Sequence, residues 1–378
     1  MAAMKETKQE KSESQTIKVL SLFSGCGGLD LGFEEVGDYK TVWANDINEW
    51  AVKTFRSHFG DVISDENIEK IDPKTDKHIP KCDLIIGGFP CQDFSIIWKQ
   101  PGLNGDRGNL YKNFLRFIDA KRPKAFVAEN VKGLLTANDG KAIKQIIEDF
   151  SKIGPGYMVK IQLYNFAEYG VPQYRERVLL VGIRLDTGFN FIHPAPTHGP
   201  RGKLPYVTVG DAFKDVEKIA ANNERMNITE KTKKRLEKIS EGGNFTDIPK
   251  NDPLYVKGMI SHVYRRIHRN EPSTTIIAAG GGGTWGYHYP EPRPLTNRER
   301  ARIQTFPDDF VFAGSITEVR RQIGNAVPPK GVKLVAEALK PLFLGTYKKE
   351  DIRKINSELQ KMSIKERLEY DYKQRGVK

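Results

Sequence analysis

The first half of the chain alternates short apolar runs with longer stretches in which apolar residues recur at helical spacing. The apolar runs predict β-strands at 17–23, 39–46, 82–90, 124–130 and 176–184. The periodic stretches predict helices at 29–36, 47–59, 110–120 and 141–153. Because the strands are apolar throughout instead of alternating with polar residues, both faces of their sheet should be covered. The pattern therefore predicts an α/β fold with a doubly wound, mostly parallel sheet.

The regular alternation stops near residue 190, and helical periodicity returns near residue 297. The intervening stretch is rich in Pro, Gly, His and Arg, which is typical of a smaller, loop-rich lobe. The charge run at the end of the chain predicts a solvated helix. The sequence thus begins with a disordered tail at 1–16, followed by a first domain at 17–190 and the loop-rich lobe at 191–290. The chain then returns to the first domain at 291–345 and ends in a charged helical extension at 346–378.

Composition narrows the range of functions. The 378 residues carry a formal net charge of +12, which is compatible with a polyanionic partner such as nucleic acid. Apolar runs of about 18 residues are absent, so we expect no membrane span, and the charged N-terminus does not resemble a secretory signal. Three cysteines are an odd number in a long chain, which argues against a disulfide scaffold and favours the cytoplasm.

Polar residues follow several of the predicted strands, at the edge where open α/β sheets bind ligands. The first strand ends in a glycine-rich turn, SGCGG at 24–28, which lets a ligand approach the backbone closely. This turn lacks the last glycine of the dinucleotide fingerprint, because Asp30 stands there. Asp46 ends the second strand; it suits a ribose diol, and equally a helix N-cap before Ile47.

Three further groups carry candidate chemistry. Cys91 follows a proline in a glycine-rich loop, a position that suits a nucleophile better than a packing cysteine. Glu129 ends a buried strand, where a carboxylate serves as a general acid or pairs with a structural cation. Gln173, Arg175 and Arg177 alternate, which predicts one shared face suited to an anionic or carbonyl ligand, or else an exposed ion-paired strand.

The order of these elements is more specific than any one of them. FSGCGG, GGFPCQDFS, AENVKG, QYRER and finally RQIGNAVPP follow one another along the chain. In this order they resemble the cytosine-5 DNA methyltransferase family of bacterial restriction–modification type, over about 17–190 and 291–344. The resemblance implies a Rossmann-like fold that binds S-adenosylmethionine, and it makes 191–290 a target recognition domain.

The resemblance also implies a set of cofactor contacts. We expect the glycine loop to cradle S-adenosylmethionine, Asp46 to bind its ribose hydroxyls, and the last motif to fold back beside that loop. The residue that binds the adenine amino group is commonly an Asp in this family; Asn67, followed by Ile68, is the best match, and the nearby Asp65 is the alternative. The full expected set is Phe23, Ser24, Gly25, Gly27, Gly28, Leu29, Asp46, Ile47, Asn67, Ile68, Pro90, Leu110, Asn325 and Val327; no metal is expected.

For the chemistry, the resemblance implies that Cys91 adds to C6 of a cytosine that has been flipped out of the duplex. It implies that Glu129 engages N3 and the exocyclic amine, and that Arg177 holds O2. Arg175 is expected beside Cys91, where it would favour the thiolate. Expected DNA contacts are Gln92, Ser95, Arg107, Gln173, Arg265, Arg266, Arg269, Thr284 and Trp285.

The expected partners are double-stranded DNA and a cognate restriction endonuclease, for a monomer in a bacterial cytoplasm, close to the nucleoid. A transfer-RNA methyltransferase of the same family is one alternative, and Ser95 together with a recognition lobe of about 100 residues counts against it. A DNA-binding module with an inactive catalytic lobe is another, which Cys91, Glu129 and Arg177 oppose. The glycine spacing disfavours a nicotinamide-dependent oxidoreductase.

Overall fold

The structure is a computed structural model, and it describes residues 16–90, 110–257, 263–278 and 286–374. Its centre is a sheet of seven strands in the order β3-β2-β1-β4-β5-β7-β6. The strands are β1 Ile17–Leu22, β2 Tyr39–Asn45, β3 Ile63–Ser64, β4 Leu84–Gly87, β5 Ala125–Val131, β6 Tyr157–Asn165 and β7 Glu176–Arg184. Neighbours from β3 to β5 are parallel, whereas β7 pairs antiparallel with both β5 and β6. The predicted mostly parallel α/β fold is confirmed.

Helices cover both faces of this sheet. The α-helices in the described residues are α1 Gly28–Glu34, α2 Glu49–Phe59, α3 Leu110–Lys121, α4 Lys141–Ser151, α5 Val209–Ala212, α6 Glu230–Glu237, α7 Asn297–Ile303, α8 Ile316–Asn325, α9 Pro329–Leu344, α10 Ile352–Lys361 and α11 Ile364–Gln374. The predicted helices are present, with ends shifted by a few residues. α2 begins at Glu49 instead of Ile47 because Asn48 is its N-cap, accepting a hydrogen bond from the Ala51 amide.

The pattern of apolar residues did not predict β6. Lys160 and Gln162 interrupt its apolar run, yet both are buried, at 3% exposed each. The Lys160 ammonium lies 2.9 Å from a carboxylate oxygen of Asp371, so an acid 211 residues away compensates the buried charge. Only a partner supplied by a distant element makes a strand with a central lysine stable in this position.

Asp371 also corrects the expectation for the end of the chain. It lies in α11, and it accepts a second hydrogen bond from the His193 amide. Ile352 and Leu359 of α10 are 1% and 2% exposed within the main apolar core. Part of this charged run therefore packs on the protein instead of lying in solvent, because Ile352, Leu359 and Asp371 are directed towards the core and β6.

Segments from the predicted loop-rich lobe share a core with the sheet domain. Val209, Phe213 and Ile276 belong to the same buried cluster as Phe55 of α2 and Ile303 of α7. A separate small cluster around Leu236 and Tyr287 lies within the lobe itself. Among the described helices, none has the length and apolar content needed to cross a membrane.

Candidate active site

The centre of the candidate site lies where β5 ends and β7 begins. Because these two strands run antiparallel, Val131 at the end of β5 is opposite Arg177 at the start of β7. The Arg177 Nε atom lies 2.8 Å from Oε1 of Glu129, and the two side chains are 15% and 13% exposed. A partly buried, charge-assisted bond of this kind fixes both groups in orientation. We call Glu129 and Arg177 the carboxylate–guanidinium pair.

The segment that leads into Cys91 is held directly against this pair. A Cβ atom at Gly88 would lie 3.0 Å from Oε2 of Glu129, so the chain passes close to this carboxylate and a larger residue here would displace it. The amide group of Asn130, which is 2% exposed, donates a 2.9 Å hydrogen bond to the Phe89 carbonyl. β4 and β5 are thereby tied together at the point where the chain continues through Pro90 to Cys91.

Arg175 lies behind this centre and is 1% exposed. Its guanidinium donates to the carbonyls of Ile276, Gly324 and Ala326, at 2.9 to 3.1 Å. Burial lowers the pKa of Arg175, and the nearby positive charge of Arg177 lowers it further. The guanidinium nevertheless stays protonated at neutral pH. The position of Arg175 relative to Cys91, on which its expected role depends, lies outside the described residues.

The glycine loop follows β1 in an unusual backbone conformation. Phe23, Gly25 and Gly27 have φ angles of 54°, 55° and 89°, in the left-handed region. Non-glycine residues adopt this region rarely, and such strain is concentrated at functional sites. The loop is fixed by Asp46, whose carboxylate accepts 2.8 Å hydrogen bonds from the amides of Gly25 and Asn48. Burial raises the pKa of Asp46, against the effect of these bonds.

The last motif closes this loop from the far end of the chain. A Cβ atom at Gly28 would lie 2.5 Å from the Val327 carbonyl oxygen and 3.2 Å from the Ala326 side chain. The expected return of Val327 to the first loop is therefore confirmed as a contact. Asn325 is the last residue of α8 and is exposed, whereas Leu29 is buried in α1.

The residues at this edge fit S-adenosylmethionine. A Cβ atom at Gly25 would meet no heavy atom within 4 Å, so open space lies over the loop. Beside it, Ile47 is 71% exposed, an apolar surface next to the Asp46 carboxylate that suits an adenine ring next to a ribose diol. Of the other expected contacts, Ile68 is buried and Pro90 is exposed, while Ser24, Asn67 and Leu110 are half-buried.

Two expected DNA contacts need correction because their side chains are internal. Gln173 is fully buried: its amide donates to Gln304, and its oxygen accepts from the Ile276 amide. Arg266 is 9% exposed and donates to the carbonyls of Leu236, Ile239, His288 and Tyr289. Their polar atoms are committed to the protein's own backbone and side chains, so neither is placed to read DNA.

The remaining expected DNA contacts fall into two groups. Arg269 is about half exposed and forms a 3.0 Å ion pair with Glu241, while Arg265 is half-buried. Cys91, Gln92, Ser95, Arg107, Thr284 and Trp285 lie outside the described residues. Within the described part of the chain, no cluster of three or more His, Cys, Asp or Glu side chains could hold a metal ion.

Sequence reasoning did not assign roles to Gly88, Asn130 or Gln304. The first two adjoin Cys91 and Glu129 in the motifs GGFPC and AENVKG, so their position was a usable signal. Gln304 had no such signal, since its partners Gln173 and Ile323 come from other parts of the chain.

The fold and the site together define a Rossmann-like methyltransferase, with a glycine-rich loop after β1 and a polar centre at the end of β5. The chain belongs to the C-5 cytosine-specific DNA methylase family, whose model matches residues 17–341. It is 63% identical to the type II methyltransferase M.NgoFVII of Neisseria gonorrhoeae, over 96% of this chain and 97% of that one. It is 42% identical to the type II methyltransferase M.BbvI of Brevibacillus brevis, over 89% and 93% of the two chains.

Solved structures support the fold. The crystal structure of a putative DNA modification methyltransferase encoded within an E. coli prophage superposes with a TM-score of 0.68 at 23% identity, covering 87% of this chain and 100% of that one. The Dnmt2 methyltransferase of S. pombe superposes with a TM-score of 0.58 at 18% identity, covering 86% and 99%.

Proposed function

We propose that this protein transfers a methyl group from S-adenosylmethionine to C5 of a cytosine within a specific sequence of double-stranded DNA. The observation that carries the proposal is the carboxylate–guanidinium pair of Glu129 and Arg177, which contacts the segment leading into Cys91. The family membership and the type II methyltransferases among the relatives favour DNA as the substrate.

The cofactor site would be formed by the loop from Phe23 to Leu29, Asp46 and Ile47, with Asn67, Ile68, Pro90, Leu110, Asn325 and Val327 around it. The Asp46 carboxylate would accept hydrogen bonds from the ribose hydroxyls, and the Ile47 side chain would pack on the adenine ring. When bound, S-adenosylmethionine supplies an electrophilic methyl group on a sulfonium.

In the proposed mechanism the Cys91 thiolate adds to C6 of the flipped-out cytosine, which makes C5 nucleophilic. Glu129, protonated or sharing a proton with N3, would engage N3 and the exocyclic amine, and this proton would neutralise the negative charge that develops on the ring, while Arg177 would donate to O2. The 2.8 Å bond between them keeps both groups in place before the base arrives, so little reorganisation is needed. After C5 is methylated, a base removes the C5 proton and the C6–sulfur bond breaks, which restores the aromatic ring and releases the Cys91 thiolate.

Arg175 acts indirectly in this scheme: its bonds to three carbonyls support the backbone around the centre. Arg265 and Arg269, with Gln92, Ser95, Arg107, Thr284 and Trp285, are proposed DNA contacts in a domain at 191–290 and in the segment after Cys91. Arg269 would exchange its ion pair with Glu241 for a phosphate. We also propose that the protein acts as a monomer in the cytoplasm, close to the nucleoid. The type II methyltransferases among its relatives favour a role in protecting DNA from a cognate endonuclease.

A mechanism-based trap tests this function directly. Duplex DNA that contains 5-fluorocytosine is incubated with the protein and S-adenosylmethionine. After methyl transfer C5 carries fluorine in place of the proton that must leave, so the adduct with Cys91 should accumulate as a covalent complex on a denaturing gel. We expect the complex with wild-type protein and with Cys82→Ala, a matched cysteine variant, but none with Cys91→Ala. The target sequence follows from bisulfite mapping in a host without such methylation.

The substrate class is settled by offering the same labelled methyl donor with unmodified transfer RNA. Label in transfer RNA with none in DNA would overturn the proposal, and so would DNA binding by wild-type protein without any methyl transfer.

A further inference from the structure

Behind the reaction centre lies a chain of buried hydrogen bonds that the mechanism does not use. Gln173 and Gln304 are both fully buried, and the Gln173 amide donates a 2.8 Å hydrogen bond to the Gln304 oxygen. When each side-chain nitrogen and oxygen of a fully buried amide pair has a hydrogen-bond partner, the pair favours one arrangement of the elements that it joins. The question is which elements these two side chains join.

On one side, the pair holds the backbone of the last motif. The Gln304 amide donates to the carbonyls of Ile323, at 2.6 Å, and Ala326, at 3.3 Å. Ala326 and Val327 are the residues that lie against Gly28 of the glycine loop. Gln304 therefore fixes the backbone that closes the proposed cofactor site.

On the other side, the pair holds the backbone that leads into the recognition segment. The Gln173 oxygen accepts a 2.9 Å hydrogen bond from the Ile276 amide, and Gln173 forms a bridge with Ser273. Ala278 follows two residues later and packs on Gly324, where a Cβ atom would lie only 2.3 Å from the Ala278 nitrogen. Residues 279–285, which include the proposed DNA contacts Thr284 and Trp285, come immediately after.

We propose that Gln173 and Gln304 are a positioning pair that couples cofactor binding to DNA binding. Neither side chain touches a reacting atom. Their shared hydrogen bond holds the segment at 323–327, which includes the end of α8, in a fixed position relative to the segment at 273–278. A ligand that orders either segment therefore also orders the other. Arg175 bonds to Ile276, Gly324 and Ala326 and strengthens the same register. This inference rests on the proposed function.

Two substitutions break the pair from opposite ends. Gln304→Met and Gln173→Met keep the length of the side chain and remove its hydrogen bonds. Gln162→Met is the matched control, because Gln162 is a glutamine buried to 3% exposure in β6 whose described hydrogen bond is a 3.4 Å one to Leu163. Thermal unfolding identifies the variants that are folded, and either variant of the pair alone decides the outcome.

The measurement is a coupling factor. The Kd of S-adenosylhomocysteine is determined with and without saturating duplex carrying the mapped target sequence, and the Kd of the duplex with and without S-adenosylhomocysteine. Linkage requires the same factor from both directions. We expect a factor of at least ten for the wild type and for Gln162→Met, and below three for both variants of the pair; a tenfold change corresponds to about 1.4 kcal/mol.

Two results would overturn the inference. One is a coupling factor of one for the wild type. The other is a pair of variants that bind both ligands more weakly with an unchanged coupling factor, which is the behaviour of a merely structural pair. Failure of the function itself is distinguishable, since a wild type that forms no covalent complex with 5-fluorocytosine DNA refutes the methyltransferase mechanism whatever the coupling factor.

Discussion

Asp30, in the first turn of α1, should make the stability of the whole protein depend on pH. It is fully buried directly after the glycine loop, and its two oxygens accept hydrogen bonds from the hydroxyls of Ser21, at 2.9 Å, and Thr41, at 3.0 Å. Burial raises the pKa of Asp30 to about 7, and the two hydroxyls only partly oppose this effect.

The sign follows from proton binding in the two states. In the unfolded chain the carboxyl has an ordinary pKa near 3.9, so between about pH 4 and pH 7 the folded state binds more protons. The free energy of unfolding therefore falls as the pH rises through this window, and the loss is complete above pH 7. A difference of about three pKa units corresponds to about 4 kcal/mol, the upper limit of the effect.

Asp30→Asn removes the charge and keeps the shape. Both hydroxyls retain a partner, because a hydroxyl accepts as readily as it donates. Urea unfolding at pH 5.5, 6.5 and 8.0 should show the variant more stable than the wild type, with an advantage that grows by about 2 kcal/mol across this range. Asp61→Asn, at an 83% exposed side chain, is the control and should show no such growth. An advantage that does not change with pH, or a variant less stable at pH 8.0, would refute the reasoning.

Two further predictions concern the site. Asn130→Ala removes the hydrogen bond that holds the Phe89 carbonyl, two residues before Cys91. The rate of methyl transfer should therefore fall about tenfold or more, with the Kd of S-adenosylmethionine nearly unchanged. A normal rate in single-turnover assays would contradict this prediction. Gly28→Ala places a Cβ atom 2.5 Å from the Val327 carbonyl oxygen, so calorimetry should show S-adenosylmethionine bound at least tenfold more weakly than by the control Gly133→Ala, whose Cβ would lie 3.9 Å from its nearest neighbour, the Val131 side chain.

Local sequence was sufficient wherever the deciding partner was near in the chain. The apolar runs of β1, β2 and β4 and the positive φ angles at Gly25 and Gly27 follow from residue type and spacing. Motif order was sufficient to place Glu129 close to Arg177, although 48 residues separate them.

Where burial depends on distant partners, residue type was misleading. Gln173 and Arg266 have polar side chains that are usually exposed, and the sequence predicted DNA contacts for both. Each is buried because the fold supplies complementary groups, for Gln173 a glutamine 131 residues away and for Arg266 four backbone carbonyls. β6 was missed for the same reason, since its central Lys160 is compensated by the distant Asp371 carboxylate and the neighbouring Tyr370 ring.

The contact between Gly28 and Val327 has a consequence for how the protein is made. The two residues are separated by about 300 positions, so a ribosome working at roughly 10 residues per second leaves about half a minute between their syntheses. The nascent chain can form much of its sheet during that interval, but it cannot complete the pocket for its methyl donor. Each new molecule thus becomes competent only after Val327 has been added to the chain.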